Sequence, residues 1–132
     1  MRIENYKIMN KICTTIEQSK RLIELGIDIN TADMFWLTTD KPRLHVLVED
    51  LENYSRWDCM PAWSLTALSN FILPYIMDND GNNYRINISM DGLNRWIAYY
   101  KSDNLSIHIC EESKDLIDVI FEMVCWLNEN LK

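Results

Sequence analysis

Two histidines and one cysteine are the residues of this chain best suited to acid–base or nucleophilic chemistry. His45 and His108 are its two histidines, each lies in a stretch that alternates apolar and polar residues, and Cys110 follows two positions after His108. If these stretches are strands, all three side chains leave the apolar face and share the open face of one sheet. A cysteine nucleophile needs the imidazole within hydrogen-bond reach, whereas strand residues i and i+2 lie several ångströms apart. The spacing disfavours a catalytic dyad and leaves a small hydrolase or ligand-binding domain at this face as the alternative function.

Patterns for metal or cofactor binding are weak. A site from His45, His108 and Glu49 would require neighbouring strands, and no helix carries paired ligands. Residues 78–83 place acids at alternate positions before Gly81, but the position six residues later, where an EF-hand needs glutamate, is Asn87. The chain has three glycines and no glycine-rich phosphate loop. We expect a plain turn at 78–83, with no cofactor and no metal site.

A polar stretch around Trp57 is the predicted partner-binding site. Trp57 stands between Arg56 and Asp58, and Tyr54 precedes them. A large aromatic beside both charges has the amphipathic character typical of interface anchors. The alternative, which the sequence leaves open, is that Trp57 pins its loop to the domain.

Length and charge limit the class of protein. The chain has 132 residues, of which 48% are hydrophobic, and a formal net charge of −7. This composition argues for one globular domain over residues 1–132, with 1–12 as a possible strand or arm, and against disorder. The acidic charge disfavours nucleic-acid binding, because neutralising phosphates supplies most of that affinity. No apolar run is long enough to cross a bilayer and no signal-peptide pattern is seen, so we expect a cytoplasmic protein.

The four cysteines are predicted to be unpaired thiols. They show no C-x-x-C pair and no zinc-like spacing, and their density is too low for a disulfide scaffold. These residues are Cys13, Cys59, Cys110 and Cys125.

Helical periodicity predicts three helices, at 15–25, 64–73 and 114–130. The first begins with a capping box from Thr14 to Glu17 and ends at Gly26, whose follower Ile27 can pack back on Leu22. The second takes Ser64 as its N-cap and stops near Leu73, before Pro74. The third has Ser113 as N-cap and is apolar over most of its circumference. The last helix is therefore expected to be the spine of the core.

Alternating patterns predict about five strands, at 34–37, 43–49, 84–90, 95–101 and 105–110. Short turns join the last three strands, which indicates antiparallel pairing. The predicted fold is α+β, with a mainly antiparallel sheet of about five strands packed against three helices in a two-layer single domain.

Four segments also carry a resemblance. Residues 11–20 (KICTTIEQSK), 30–36 (NTADMFW), 61–65 (PAWSL) and 121–127 (FEMVCWL) resemble a family of small proteins, without an assigned activity, from the genomes, phages and mobile elements of gut Bacteroidales. The resemblance spans most of the chain from Lys11. It implies a bacterial or phage cytoplasm and transfers no functional residue.

These observations together favour an interaction or accessory protein of a bacterial mobile element or phage over an enzyme. Its expected partner is another protein or a second copy of the chain.

Overall fold

The computed structural model describes residues 12–37, 43–46, 59–103, 105–110 and 112–131. These residues form three α-helices, named here α1 (Ile16–Glu24), α2 (Leu65–Ser69) and α3 (Leu116–Asn130), and a short 3-10 turn at Ile29–Thr31. They also form seven strands: β1 (Met34–Leu37), β2 (Arg43–Val46), β3 (Cys59–Ala62), β4 (Tyr75–Met77), β5 (Asn83–Met90), β6 (Trp96–Lys101) and β7 (Ser106–Ile109).

The strands form two antiparallel sheets. Sheet one has the order β2-β1-β3, and sheet two has the order β4-β5-β6-β7. The predicted α+β class, with antiparallel strands and three helices, is confirmed. The strands are divided between two sheets because β1 pairs with β2 and β3, and β3 is a strand that the sequence had not predicted. Pro61 lies in β3 at the edge of sheet one, where a missing N–H costs no ladder bond.

The cap of α1 lies one residue later than predicted. Thr15 is the N-cap, its side chain accepts from the Gln18 amide, and the Gln18 side chain accepts from the Thr15 amide. Thr14 does not cap the helix, because its hydroxyl bonds Ser19 in the interior. The predicted helix end is confirmed: Gly26 has φ +89°, and the Ile27 amide donates to the Leu22 carbonyl at 3.0 Å.

Helix α2 has the predicted N-cap but ends four residues early. The Ser64 hydroxyl accepts from the Ala67 amide at 3.2 Å. After Ser69 the amides of Phe71 and Ile72 bond carbonyls three residues back, which is the tighter winding of a helix end. Pro74 then excludes helix for its predecessor. The chain beyond Pro74 joins sheet two as β4, a strand that the sequence had not predicted.

Helix α3 is the shared wall of two apolar clusters, as predicted for the spine of the core. The first cluster joins it to α1 and α2 through Leu22, Leu25, Ile27, Ala32, Trp63, Ala67, Leu68, Ile117, Ile120, Val124 and Cys125. The second joins it to sheet two through Ile76, Tyr84, Ala98, Tyr100, Cys110, Val119, Met123 and Leu127. Among the described helices none is long and apolar enough to span a membrane.

The start of α3 also differs from the prediction. Its N-cap position is Asp115, because Ser113 is held by the sheet: Ser113 exchanges two backbone hydrogen bonds with Trp96, at 2.7 and 3.1 Å. The Ser113 hydroxyl still accepts from the Asp115 amide at 3.2 Å.

Candidate functional site

The sequence-predicted sites are not assembled into one place. Trp57, Tyr54, Arg56 and Asp58 lie outside the described residues, so the partner site at Trp57 stays a prediction. His45 lies in β2 at an edge of sheet one, and His108 lies in β7 at an edge of sheet two. The expectation that both histidines share the open face of one sheet is therefore wrong.

Cys110 faces the core and not the open side of its sheet. Its side chain is 1% exposed, and its amide donates to the Ala98 carbonyl at 2.9 Å. The cause is a β-bulge: Tyr100 pairs with Ile107 and Tyr99 with Ile109, which leaves His108 as the extra residue of β7. One extra residue reverses the alternation that the sequence pattern assumed. Cys110 is therefore buried in the interior and is not part of an accessible site with His45 and His108.

The four cysteines form no disulfide, as predicted from their spacing. Cys13, Cys110 and Cys125 are buried. Burial raises the pKa of the Cys13 and Cys125 thiols to about 11 and that of Cys110 to about 12. A thiol with such a pKa holds almost no thiolate at neutral pH and is a poor nucleophile.

The turn at 78–83 is built around one carboxylate. Asp78 accepts hydrogen bonds from the amides of Asp80 and Asn82, from the Asn82 side chain and from the Tyr84 hydroxyl, all at 2.9 to 3.0 Å. These bonds hold the pKa of Asp78 below its usual value, the Asn82 side chain contributing most. Both carboxylate oxygens of Asp78 are thus used within the turn. Across the described residues no group of three or more His, Cys, Asp or Glu side chains is placed to hold a metal ion.

Sheet two leaves one face open to solvent. Tyr84 and Tyr100 are buried on the side of α3, so the alternate positions of β5 and β6 face away from the helix. The register places Tyr75, Arg85 and Lys101 in one row across three strands. All three side chains are exposed.

Strand β4 is an edge strand with free backbone groups. The Ile86 amide donates to the Pro74 carbonyl and the Asp78 amide to the Asn82 carbonyl, at 3.1 and 3.0 Å. In an antiparallel ladder bonded pairs alternate with non-bonded ones, so the N–H and C=O groups of Tyr75 and Met77 point away from β5. In the part of the chain that the structure describes, nothing bonds them from outside the sheet. The side chains of Tyr75 and Met77 are each 62% exposed.

Sequence reasoning missed this edge because the apolar residues at 65–76 fit a helical period. One signal was present: Pro74 ends a helix, and the three residues after it lead to the strong turn at 78–83. The structure shows the exposed–buried–exposed pattern of a strand at Tyr75, Ile76 and Met77.

Comparisons with protein-family models, with curated proteins and with solved structures gave no match.

Proposed function

We propose that this chain is a non-catalytic protein-interaction or accessory protein of a bacterial mobile element or phage, acting in the cytoplasm. The proposed partner is a protein that adds an extended segment to sheet two along β4. The observation that carries this proposal is the outward direction of the N–H and C=O groups of Tyr75 and Met77 in an exposed edge strand.

Edge strands with unused donors and acceptors are templates for a further strand. Proteins commonly protect such an edge with a lysine or with a proline whose ring blocks it. Here residues 75–77 carry no charge. Pro74 does not block the edge, because the ladder directs its backbone towards β5.

Two residues offer at most four backbone hydrogen bonds, each worth a net stabilisation of about 0.5 to 1.5 kcal/mol. Part of that gain is lost in ordering the incoming segment. The additional affinity is expected from Tyr75 and Met77, whose apolar side chains would contact alternate side chains of the added strand. We therefore expect the partner segment to be extended and to carry apolar residues at every second position.

The proposal is tested with peptides selected from a displayed random peptide library on the folded protein and then synthesised. Met77→Pro removes the outward N–H of β4 without removing a bond to β5, and Met77→Ala removes the side chain but keeps the N–H. We expect Met77→Pro to weaken peptide binding more than tenfold beyond Met77→Ala, which corresponds to about 1.4 kcal/mol.

Two measurements distinguish strand addition at β4 from other modes of partner binding. The amides of Tyr75 and Met77 should gain protection from hydrogen exchange when the peptide binds. Sedimentation of the free protein over a range of concentrations shows whether a second copy occupies the edge, in which case Met77→Pro should abolish the association. The proposal would be refuted if Met77→Pro and Met77→Ala bound the peptide with equal affinity and the amides of Tyr75 and Met77 gained no protection from hydrogen exchange.

A further inference from the structure

Two cations stand side by side on sheet two without an acidic partner. Arg85 in β5 lies directly opposite Lys101 in β6, so their Cβ atoms are about 5 Å apart. Both side chains are exposed. Neither forms an ion pair in the described part of the chain, where the salt bridges belong to Lys20 and Arg21.

This pair is unexpected on energetic grounds. Like charges directly opposite each other on a sheet are destabilising, and the chain as a whole carries a net charge of −7. Carboxylates are therefore the abundant charge, yet among the described residues none forms an ion pair with these two cations. Asp103 is nearby, since it lines the same pocket, but it makes no ion pair with either cation.

The two cations line a pocket at the end of sheet two where the β4–β5 and β6–β7 turns meet. The pocket has a volume of about 840 Å³ and is broadly open to solvent. Besides the two cations, its walls are mainly polar and include Asn82, Asn83, Asn87 and Ser102. In the described structure the Asn83 side chain has no hydrogen-bond partner, so its amide remains available to a ligand.

We propose that this pocket binds a small molecule through its phosphoryl group. The guanidinium of Arg85 can donate two parallel hydrogen bonds to phosphate oxygens, and the Lys101 ammonium supplies a second charge. A phosphate monoester carries close to two negative charges at neutral pH, which matches the two cations. The bound anion would also relieve the repulsion between Arg85 and Lys101. This proposal concerns a different surface from the β4 edge and does not depend on it.

The experiment titrates the full chain with inorganic phosphate, with glycerol phosphate and with acetate at one constant ionic strength. NMR amide shifts of residues 81–87 and 101–103 report binding, and the melting temperature reports stabilisation. We expect both phosphate compounds to shift these amides and to raise the melting temperature, and acetate to do so much less. Glycerol phosphate should bind more tightly than inorganic phosphate if the pocket accepts the organic part of the ligand.

Charge variants give effects of opposite sign. Arg85→Gln and Lys101→Gln should each weaken phosphate binding by about tenfold or more, and Asp103→Asn should strengthen it, because it removes a negative charge from the pocket. Lys114→Gln, at an exposed lysine outside the pocket, is the matched control and should bind phosphate as the unmodified chain does. Because Arg85→Gln and Lys101→Gln remove a repulsion, neither should lower the melting temperature in the absence of phosphate.

Three outcomes would overturn the proposal. The first is an equal response to phosphate and to acetate. The second is that the phosphate-induced amide shifts persist in Arg85→Gln and Lys101→Gln. The third is that Lys114→Gln weakens these shifts as much as Arg85→Gln and Lys101→Gln do. If inorganic phosphate bound more tightly than glycerol phosphate, the pocket would be an anion site that does not accept the organic part of a ligand, and the proposed small-molecule ligand would be excluded.

Discussion

Thr14 joins three parts of the chain through one buried residue. Its side chain is 0% exposed, its hydroxyl accepts from the Trp63 amide at 3.0 Å, and it lies 2.8 Å from the Ser19 hydroxyl. Its amide donates to the Trp63 carbonyl, and its own carbonyl accepts from the Trp36 ring. The start of α1, strand β1 and the end of β3 are thereby fixed to each other. Buried polar groups that are fully bonded in this way favour a single arrangement of the chain.

Thr14→Val tests this role, because valine keeps the shape and removes the hydroxyl. The Trp63 amide would keep its burial and lose its acceptor, so we expect a loss of about 1 to 3 kcal/mol in the free energy of unfolding. Denaturant unfolding measures the change. Thr66→Val, at an exposed position of α2, is the control and should change stability by less than about 0.5 kcal/mol. Equal stabilities for the two variants would contradict the role given to Thr14.

At the scale of the elements, the helices were predictable in type and their N-caps to within one or two residues. The signals were local: Gly26 for a left-handed position and Ser64 for an N-cap were both confirmed. The N-caps of α1 and α3 moved because Thr14 and Ser113 form hydrogen bonds to distant parts of the chain, Thr14 to Trp63 and Ser113 to Trp96. A local pattern carries no information about such partners.

The division into two sheets and the bulge in β7 were beyond the sequence pattern for the same reason. Alternation identifies strands but not their neighbours, so β1 and β5 look alike although they belong to different sheets. The extra residue at His108 depends on how β7 meets β6. The predicted exposure of Cys110 was wrong for this reason, since one residue of register decides whether Cys110 faces solvent or the core.

The turn between β4 and β5 should depend on pH through Asp78. The pKa of Asp78 is lowered in the folded chain, so its stabilising effect is complete above the usual aspartate value and is lost as the pH falls through the folded value. We expect the Asn82 amide resonance to titrate with a midpoint below 3.8, the ordinary value. The matched pair of variants is Asp78→Ala, which should speed hydrogen exchange at the Asn82 amide, and Asp80→Ala, which should not. A midpoint at or above 3.8 would contradict the hydrogen bonding described for the turn.

At the scale of the whole molecule, α3 should make the two apolar clusters unfold together. Leu22 belongs to the first cluster and Met123 to the second, and both are 0% exposed. Leu22→Ala and Met123→Ala should each cost about 2 to 5 kcal/mol. Because α3 is a wall of both clusters, we expect one transition in each variant, with coincident midpoints from tryptophan fluorescence and far-ultraviolet circular dichroism.

A second transition in only one of the variants would show that the clusters are separate folding units. The exposed Leu93, which is 73% exposed in the turn before β6, provides the control. Leu93→Ala should leave the transition midpoint nearly unchanged.

The position of α3 in the order of the chain has a consequence for synthesis on the ribosome. Every described strand and the other two helices precede Leu116, so both clusters lack a wall until residues 116–130 have left the exit tunnel. Until then the apolar faces of α1, α2 and sheet two lack the cover that α3 provides. Nascent chains arrested before Leu116 should therefore be bound by chaperones and cut readily by proteases, while chains in which α3 has emerged should resist both.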